Sequence, residues 1–186
     1  MGGEHAVGPL QGAGGALGHA PGPGQVAPGH AAQVQRAQLA GPEHQDGVGV
    51  QLGARYDGSP IIVADGAPPP DIFPQTYDEY VPSGLPGGRA PHLWLDAQRG
   101  MGSSLFDQFG RGFTLLRLNP GTETAALERA ASARKLPLKR LDIRIPEARA
   151  LYGRDLVLIR PDAYIAWRGD QAPDDPQALL ARVSGY

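Results

Sequence analysis

The hydrophobic pattern is clearest in residues 155–169 (DLVLIRPDAYIAWRG). Residues 156–159 are apolar at every position, residues 161–163 are turn-forming, and residues 164–167 are a second strand-like run. This order predicts a β-hairpin. A strand that is apolar at every position is usually covered on both faces, so the pattern predicts a sheet between helices, with the hairpin at its centre.

Strand and helix patterns alternate in the rest of the second half of the chain. Asp175 as N-cap, Pro176 at the first helical position and apolar residues at helical spacing predict a last helix that turns Leu179, Leu180 and Val183 inward. The other predicted elements are strands at 92–95, 113–118 and 138–143, a short helix at 104–110 capped by Ser103 or Ser104, a helix at 121–136 capped by Thr122, and a short helix at 147–151. This alternation predicts an α/β fold with a mixed sheet and flanking helices.

Residues 1–47 have a different composition from the rest of the chain. They consist mainly of Gly, Ala, Pro, Gln and His and contain no aromatic residue. Such a segment cannot bury enough apolar surface to offset its conformational entropy, so we expect a disordered N-terminal tail. Residues 48–186, roughly 140 residues, are long enough to bury about two-thirds of their unfolded surface.

Two patterns in this tail imitate functional sites. Residues 12–18 (GAGGALG) approach G-x-G-x-x-G, but Leu17 takes the place of the last glycine and no strand precedes the loop. We therefore interpret them as simple glycine richness. The tail histidines have no zinc-site spacing and no carboxylate placed to orient them, so we expect no metal site at His5, His19, His30 and His44.

The sequence pattern of residues 48–91 predicts a segment that connects the N-terminal tail to the α/β part of the chain. Residues 61–63 form a short strand candidate after the turn at 58–60. Residues 66–91 are proline-rich, with Phe73, Tyr77 and Tyr80 between the prolines. We expect an extended connector whose aromatic side chains pack onto the domain, and a ligand-binding wall is the less common alternative.

Charge and cysteine content exclude several function classes. The net charge is -2 and the pI about 6.2, so no electrostatic footprint for nucleic acid or anionic lipid is present. The chain has no cysteine, which excludes thiol redox chemistry. It has neither a signal-peptide pattern nor an apolar run of membrane-spanning length, and we expect a cytoplasmic protein.

Three separated blocks carry a resemblance to a known family. They are RAPHLWL at 89–95, SLFDQFGRGFTLL at 104–116 and DLVLIRPDAYIAWRG at 155–169. In this order they resemble the thioredoxin-like C-terminal domain of FAD-dependent aromatic hydroxylases, the phenol hydroxylase and polyketide hydroxylase types of class A flavin monooxygenase. LGARYDGSPIIVADG at 52–66 resembles the end of their catalytic portion. The resemblance implies FAD and NAD(P)H as cofactors of the full-length enzymes.

The sequence departs from that family in its flavin-binding parts. The family's Rossmann-like domain and its later Gly-Asp segment are both missing, so we predict no catalytic, cofactor-binding or metal-binding residue in this chain. The predicted organisation is a tail at 1–47, a remnant of the catalytic portion plus linker at 48–89, and a thioredoxin-like domain at 90–186. We expect the tail to be either a mis-framed product of a truncated gene or a natural disordered segment.

A few polar residues of the domain are candidates for chemistry. We interpret His92, beside Trp94, as structural because no partner or pocket for a general base can be named. Asp142 and Asp155 could form an acid pair, but strand-end carboxylates more often pair with arginines, here Arg140, Arg144 and Arg154. Ser103 and Ser104 are interpreted as helix caps, and Tyr164 and Trp167 as core or interface anchors.

Two functions follow from the residues and the resemblance. The first is an accessory or oligomerisation domain of an FAD-dependent aromatic-ring monooxygenase, not catalytic alone, whose partner is the flavin-binding portion or a second copy of the chain. The second is a stand-alone, non-redox thioredoxin-like protein-interaction module.

Overall fold

The computed structural model describes residues 52–68 and 80–186. Several expectations lie outside these ranges: the disordered or mis-framed tail at 1–47, the glycine-rich loop at 12–18, the four tail histidines, and the packing of Phe73 and Tyr77.

A four-stranded mixed sheet forms the centre of the described fold. Its strands are β1 (Phe113–Arg117), β2 (Leu138–Asp142), β3 (Leu156–Ile159) and β4 (Ile165–Gly169), in the spatial order β2-β1-β3-β4. β1 and β2 are parallel, whereas β1 with β3 and β3 with β4 are antiparallel. A parallel pair needs a long crossover, which the helix between β1 and β2 provides.

Three α-helices connect and cover the strands. They are α1 (Ala125–Ala133), α2 (Pro146–Tyr152) and α3 (Pro176–Ser184). A 3-10 helix, Leu105–Gln108, precedes β1. The chain order β1-α1-β2-α2-β3-β4-α3 confirms the predicted α/β, thioredoxin-like mixed sheet with flanking helices.

The sheet separates two apolar layers. Leu156 and Leu158 of β3 face the layer of α1 and α3, whereas Val157 and Ile159 face the layer that contains α2 and the 3-10 helix. All four side chains are 0% exposed. The run of apolar residues therefore marks a strand buried on both faces, as its pattern predicted.

The hairpin is confirmed, but only one of its strands is internal. β3 lies between β1 and β4, whereas β4 is the last strand of the four. Leu158 pairs with Trp167 and Ile159 with Ile165, so Ala166 is an extra residue in β4. This β-bulge interrupts the ladder and directs backbone groups of β4 away from β3.

Two predicted strands are absent. In the segment 92–95, Trp94 makes only an isolated bridge with Ser104, and the sheet begins at Phe113. Residues 61–63 form no strand either, although Val63 donates one backbone hydrogen bond to Ala166. Both segments have the apolar pattern of strands but lack a neighbouring strand of matching length, and a ladder needs a partner.

The helix predictions are confirmed in position and corrected in extent. The helix predicted at 121–136 is α1, nine residues long, with Thr124 rather than Thr122 at its N-cap. The helix at 104–110 is the 3-10 helix, in which Ser104 caps Phe106. In α3, Asp175 caps the Ala178 amide, and Leu179, Leu180 and Val183 are buried as predicted.

We predict that Leu158→Asp unfolds the domain. An unpaired carboxylate at this fully buried position costs several kcal/mol, a large part of the stability of a small domain. Thermal unfolding followed by circular dichroism measures the effect. The matched control is Arg129→Asp on the exposed side of α1, which should change the melting temperature little. A Leu158→Asp variant that melts with the wild type would contradict the burial of β3.

Candidate interdomain contact site

Two stretches of residues 48–91 cover the outer edge of β4, and we call them the strap (residues 55–66 and 85–90). Backbone hydrogen bonds of 2.8 to 2.9 Å join the strap to β4 and its turn: from Val63 to Ala166, from Gly87 to Ile165, from Ile165 to Gly88, and from Ala90 to Ala163. An exposed strand edge is a template for unwanted pairing. The strap therefore satisfies the outward-facing groups of β4, including the carbonyl of the bulge.

The two stretches of the strap also contact each other. The Tyr56 amide donates to the Gly87 carbonyl at 2.8 Å, and Arg55 forms a bridge with Gly88. The Arg55 Nη2 donates to the Pro86 carbonyl at 2.9 Å while the same guanidinium holds Asp57. The strap is thus a two-stretch unit, not a single extended peptide.

Two arginines of the domain bind the first stretch of the strap. The Arg168 Nε donates to Asp65 Oδ2 at 2.7 Å, and the side chains of both residues are only 10% exposed. Arg182 of α3 donates to two strap carbonyls, from Nε to Pro60 at 2.9 Å and from Nη2 to Ile62 at 3.1 Å. These contacts join residues more than 100 positions apart, 103 in the case of Asp65 and Arg168.

The ion pair with Arg168 helps to keep the Asp65 carboxyl ionised. Burial raises the pKa of the Asp65 carboxyl, but the Arg168 hydrogen bond, the Ala67 amide and the charges of Arg168 and Arg154 together hold the pKa below its usual value. Asp65 is therefore ionised at neutral pH inside a largely buried contact. Removing one partner of such a pair leaves an uncompensated charge.

Tyrosines pack both stretches of the strap and the residues around them. The ring of Tyr56 lies 4.5 Å from that of Tyr164, and the buried Tyr152 hydroxyl donates to the Pro91 carbonyl at 2.7 Å. Burial raises the pKa of Tyr80 to about 12, although the charge of Arg89 opposes it. The expectation that Tyr80 packs onto the domain agrees with this burial, and Tyr164 is a contact residue of the strap.

The strand-end carboxylates are bound by arginines. Asp142 accepts two hydrogen bonds from Arg117, which are the main cause of its lowered pKa. Asp155 accepts from Asn119, Thr122 and Arg149, and the Asn119 hydrogen bond leads the causes that lower its pKa. The pairing with arginines agrees with the interpretation from sequence, but of the three arginines named there only Arg140 contacts Asp142.

Arg144 makes no ion pair with a described carboxylate, and Arg154 pairs with Asp65 and Asp170 instead of Asp155. The arginines that bind Asp142 and Asp155 most directly are Arg117 of β1 and Arg149 of α2. Proximity in the sequence does not identify these partners.

The region that precedes α1 does not fit a flavin dinucleotide. A pyrophosphate site needs free amides at a helix N-terminus and no competing negative charge. Here Glu128 lies in the first turn of α1 and accepts from Thr124, and Thr122 donates to Asp155. The two threonine hydroxyls are thus used by carboxylates, and the negative charges of Glu128 and Asp155 oppose a bound pyrophosphate. No group of three His, Cys, Asp or Glu that could hold a metal occurs in 52–68 or 80–186.

His92 and the two serines have structural contacts. The His92 Nε2 lies 2.9 Å from Ser104 Oγ, and burial lowers the pKa of the ring despite the charge of Asp107. Ser103 Oγ donates to the Gly100 carbonyl at 2.6 Å, whereas Ser104 is the N-cap of the 3-10 helix. Trp167 lies in the core, 9% exposed. The prediction that the chain has no catalytic residue stays a prediction.

The family model described as "Aromatic-ring hydroxylase, C-terminal" matches residues 83–186. The match begins inside the connector and includes β1 to α3. The chain belongs to this family.

Curated relatives are similar in sequence over most of this chain. The FAD-dependent monooxygenase apdD of Emericella nidulans is 33% identical over 155 residues, which cover 77% of this chain and 23% of the relative. The Tetracenomycin B2 monooxygenase-dioxygenase of Streptomyces olivaceus is 36% identical over 72% of this chain and 25% of its own length. The chain thus spans about a quarter of the length of the curated relatives it matches.

Solved structures of larger enzymes share the fold. The rebeccamycin biosynthetic enzyme RebC with reduced flavin has a TM-score of 0.62 and 37% identity, covering 74% of this chain and 24% of that one. The flavin-dependent monooxygenase PieE, in complex with FAD and substrate, has a TM-score of 0.62 and 32% identity over 74% of this chain and 26% of that one.

Sequence reasoning did not find the strap contacts of this family member. Asp65, Arg168 and Arg182 are ordinary charged residues in the sequence, and no local pattern shows that they meet. The single signal was the resemblance of residues 52–66 to the end of the catalytic portion, which indicated that this segment is more than a spacer.

In the described part of the chain, no helix has the length and apolarity that crossing a membrane requires.

We predict that Gly84→Ala weakens the packing of the connector on α2. A Cβ at Gly84 would lie 2.5 Å from Tyr152 Cα and 2.7 Å from its carbonyl oxygen, and backbone atoms cannot move aside easily. The expected loss is about 1–3 kcal/mol of unfolding free energy, measured by urea denaturation. Gly100→Ala is the control, because a Cβ there has no neighbour within 4 Å. Equal stability of both variants would contradict the described path of the connector.

We also predict that acid weakens the strap through Asp65. The folded-state pKa values of Asp65, Asp142 and Asp155 are lowered, so their stabilisation is present above the unfolded-state pKa of about 3.9 and is lost as the pH falls below it. Asp65→Asn and Arg168→Met should each cost about 3 kcal/mol at pH 7 and less at pH 3. Urea denaturation at both pH values measures this. A loss that is the same at both would show that the ion pair does not stabilise the fold.

Proposed function

We propose that the chain is the C-terminal accessory domain of an FAD-dependent, NAD(P)H-using aromatic-ring monooxygenase and is not catalytic by itself. The observation that carries the proposal is the family match over residues 83–186, together with relatives named as FAD-dependent monooxygenases that align over only about a quarter of their own length. The chemistry of such an enzyme requires a flavin site, and we predict none in this chain.

The contacts of the strap support a role for the domain in positioning the catalytic portion. Its first stretch lies in the segment that resembles the end of the catalytic portion, and Arg168, Arg182 and the edge of β4 bind this stretch over long sequence distances. A domain that holds the end of the catalytic portion fixes the position of that portion relative to its own sheet. Domain packing of this kind excludes water and limits relative motion without supplying a reacting group.

The partner in this proposal is the flavin-binding portion of a monooxygenase, and a second copy of the chain is the other candidate. We propose no nucleic-acid or membrane partner, because the net charge of the chain is -2. The proposed location is the cytoplasm. If the chain neither binds a flavin-binding portion nor affects its activity, the alternative of a stand-alone interaction module gains support.

We predict that the purified chain contains no flavin. It should have no visible absorbance band after purification or after dialysis against FAD, because Glu128 and Asp155 place negative charge in the region that precedes α1. The full-length FAD-dependent monooxygenase apdD, purified in the same way, is the positive control. Stoichiometric flavin in the isolated chain would show that its residues form a cofactor site and would overturn the non-catalytic assignment.

A further inference from the structure

The outer edge of β2 carries backbone groups that are open within the described part of the chain. The Phe113 amide donates to the Pro137 carbonyl at 2.9 Å, which fixes the phase of the parallel ladder between β1 and β2. The backbone groups of a strand point alternately to its two sides, so the amides and carbonyls of Leu138, Arg140 and Asp142 point away from β1. Within 52–68 and 80–186, no residue forms a hydrogen bond with these outward groups.

Positive charge is concentrated along this edge, although the whole chain has a net charge of -2. Residues 134–144 (RKLPLKRLDIR) contain five basic residues and a single acidic one. Both lysines of the chain are among them. The rest of the chain is therefore net acidic, and the edge of β2 differs from it in the sign of its charge.

Most of these cations have no carboxylate partner among the described residues. Arg134, Lys135, Lys139 and Arg144 are exposed and form no ion pair there, and Lys139 donates to a neutral backbone carbonyl. Of the five, only Arg140 pairs with carboxylates, one on α1 and one on β2. An excess of positive charge therefore surrounds the open backbone groups and attracts negatively charged side chains.

Each face of this edge also has a partly buried leucine beside a cation. Leu138 packs against the apolar layer of α1 and α3, and Arg140 shares its face. Leu141 packs against the layer of α2, and Lys139 shares its face. A strand added at this edge would cover both leucines while its acidic side chains lie beside the cations.

We propose that the outer edge of β2 is a binding site for an extended acidic segment of another protein, which joins the sheet as a fifth strand. Its backbone pairs with the outward groups of Leu138, Arg140 and Asp142. In recognition by strand addition, the backbone hydrogen bonds provide affinity and the side chains provide specificity. This binding function goes beyond the accessory role and involves no flavin.

The charge of the edge selects this occupant over two others. A second copy of the chain that paired antiparallel about the middle of β2 would place two Arg140 side chains opposite each other, and like charges in that position are destabilising. Basic side chains on an edge strand discourage such self-pairing. The phosphates of a nucleic acid offer acceptors but no amide donors, so the outward carbonyls of β2 would stay without a partner.

The experiment measures binding between the full chain and a labelled synthetic peptide that alternates glutamate and valine. Fluorescence anisotropy gives the dissociation constant, which should rise with salt concentration. Hydrogen exchange followed by NMR gives the site. Exchange should slow at the outward amides of Leu138, Arg140 and Asp142 and change little at those of Lys139 and Leu141, which already bond to β1.

Two modified peptides separate charge from backbone pairing. A peptide with lysine in place of glutamate keeps the strand pattern and reverses the charge, and we expect no binding. A peptide with methylated backbone amides keeps the charge and cannot donate to β2. It should bind about tenfold more weakly than the unmodified peptide.

A pair of variants at Arg140 tests strand addition from the side of the protein. Arg140→Ala and Arg140→Pro lose the same cation, but only proline removes the outward amide, and an edge strand tolerates proline where its N–H faces away from the sheet. Arg140→Pro should bind about tenfold more weakly than Arg140→Ala. Melting temperatures show whether both variants are folded.

A second pair of variants tests the charge. Lys139→Glu should weaken binding about threefold or more, because it turns an attraction into a repulsion. Arg129→Glu, on the exposed side of α1, is the matched charge reversal and should bind almost as the wild type does.

Several results would overturn the proposal. They are the absence of wild-type binding to the acidic peptide, equal binding by Arg140→Pro and Arg140→Ala, and equal binding of the lysine peptide. Tighter binding of a single-stranded thymidine oligonucleotide would identify nucleic acid as the occupant instead. Self-association of the chain that Arg140→Pro abolishes, measured by sedimentation, would identify a second copy.

Discussion

Closure of the outer edge of β4 is the constraint on which the rest of the structure depends. A sheet of four strands leaves two edges, and each needs protection from unwanted pairing. β2 is protected by its exposed Lys139 and Arg140, whereas β4 is covered by backbone hydrogen bonds from the strap. The bulge at Ala166 makes this possible because it frees a carbonyl for Val63. The ion pair between Asp65 and Arg168 adds a side-chain contact between the strap and β4. The strand edge, the bulge and the ion pair therefore all fix the strap on the sheet.

The parts of the fold that could be predicted are those with local causes. The apolar run of β3, the Asp175–Pro176 start of α3 and the turn of the hairpin each follow from residues within a few positions of one another. The errors share a different cause. His92 to Leu95 have the composition of a strand, yet a ladder also requires a partner strand, and the partner within the described residues is only the short segment 103–105. Helix α1 begins later than predicted because Thr122 is occupied by Asp155, a residue 33 positions away.

The contact surfaces were harder to predict because their members are scattered. Nothing near Arg168 in the sequence points to Asp65, and nothing near Arg89 points to Phe106. Such contacts depend on how β4, α3 and the connector meet in space, which single-residue chemistry does not encode. Arg89 Nε and Trp94 Nε1 are buried and have no hydrogen-bond partner, which only the folded structure shows. Family resemblance supplied the functional context that physical reasoning on isolated residues could not supply.

The long separation between the strap and its binding site also affects how the chain is made. Residues 55–66 leave the ribosome before β4 is synthesised. Arg168, the ion-pair partner of Asp65, follows 103 residues later. Contacts of such high sequence separation slow folding, because the loop must close before the contact contributes any free energy. During that interval the proline-rich connector and the early strands have no finished sheet to join. The edge of β4 cannot be sealed before β4 emerges near residue 169, and any delay in sealing it extends the time in which nascent chains can associate with one another.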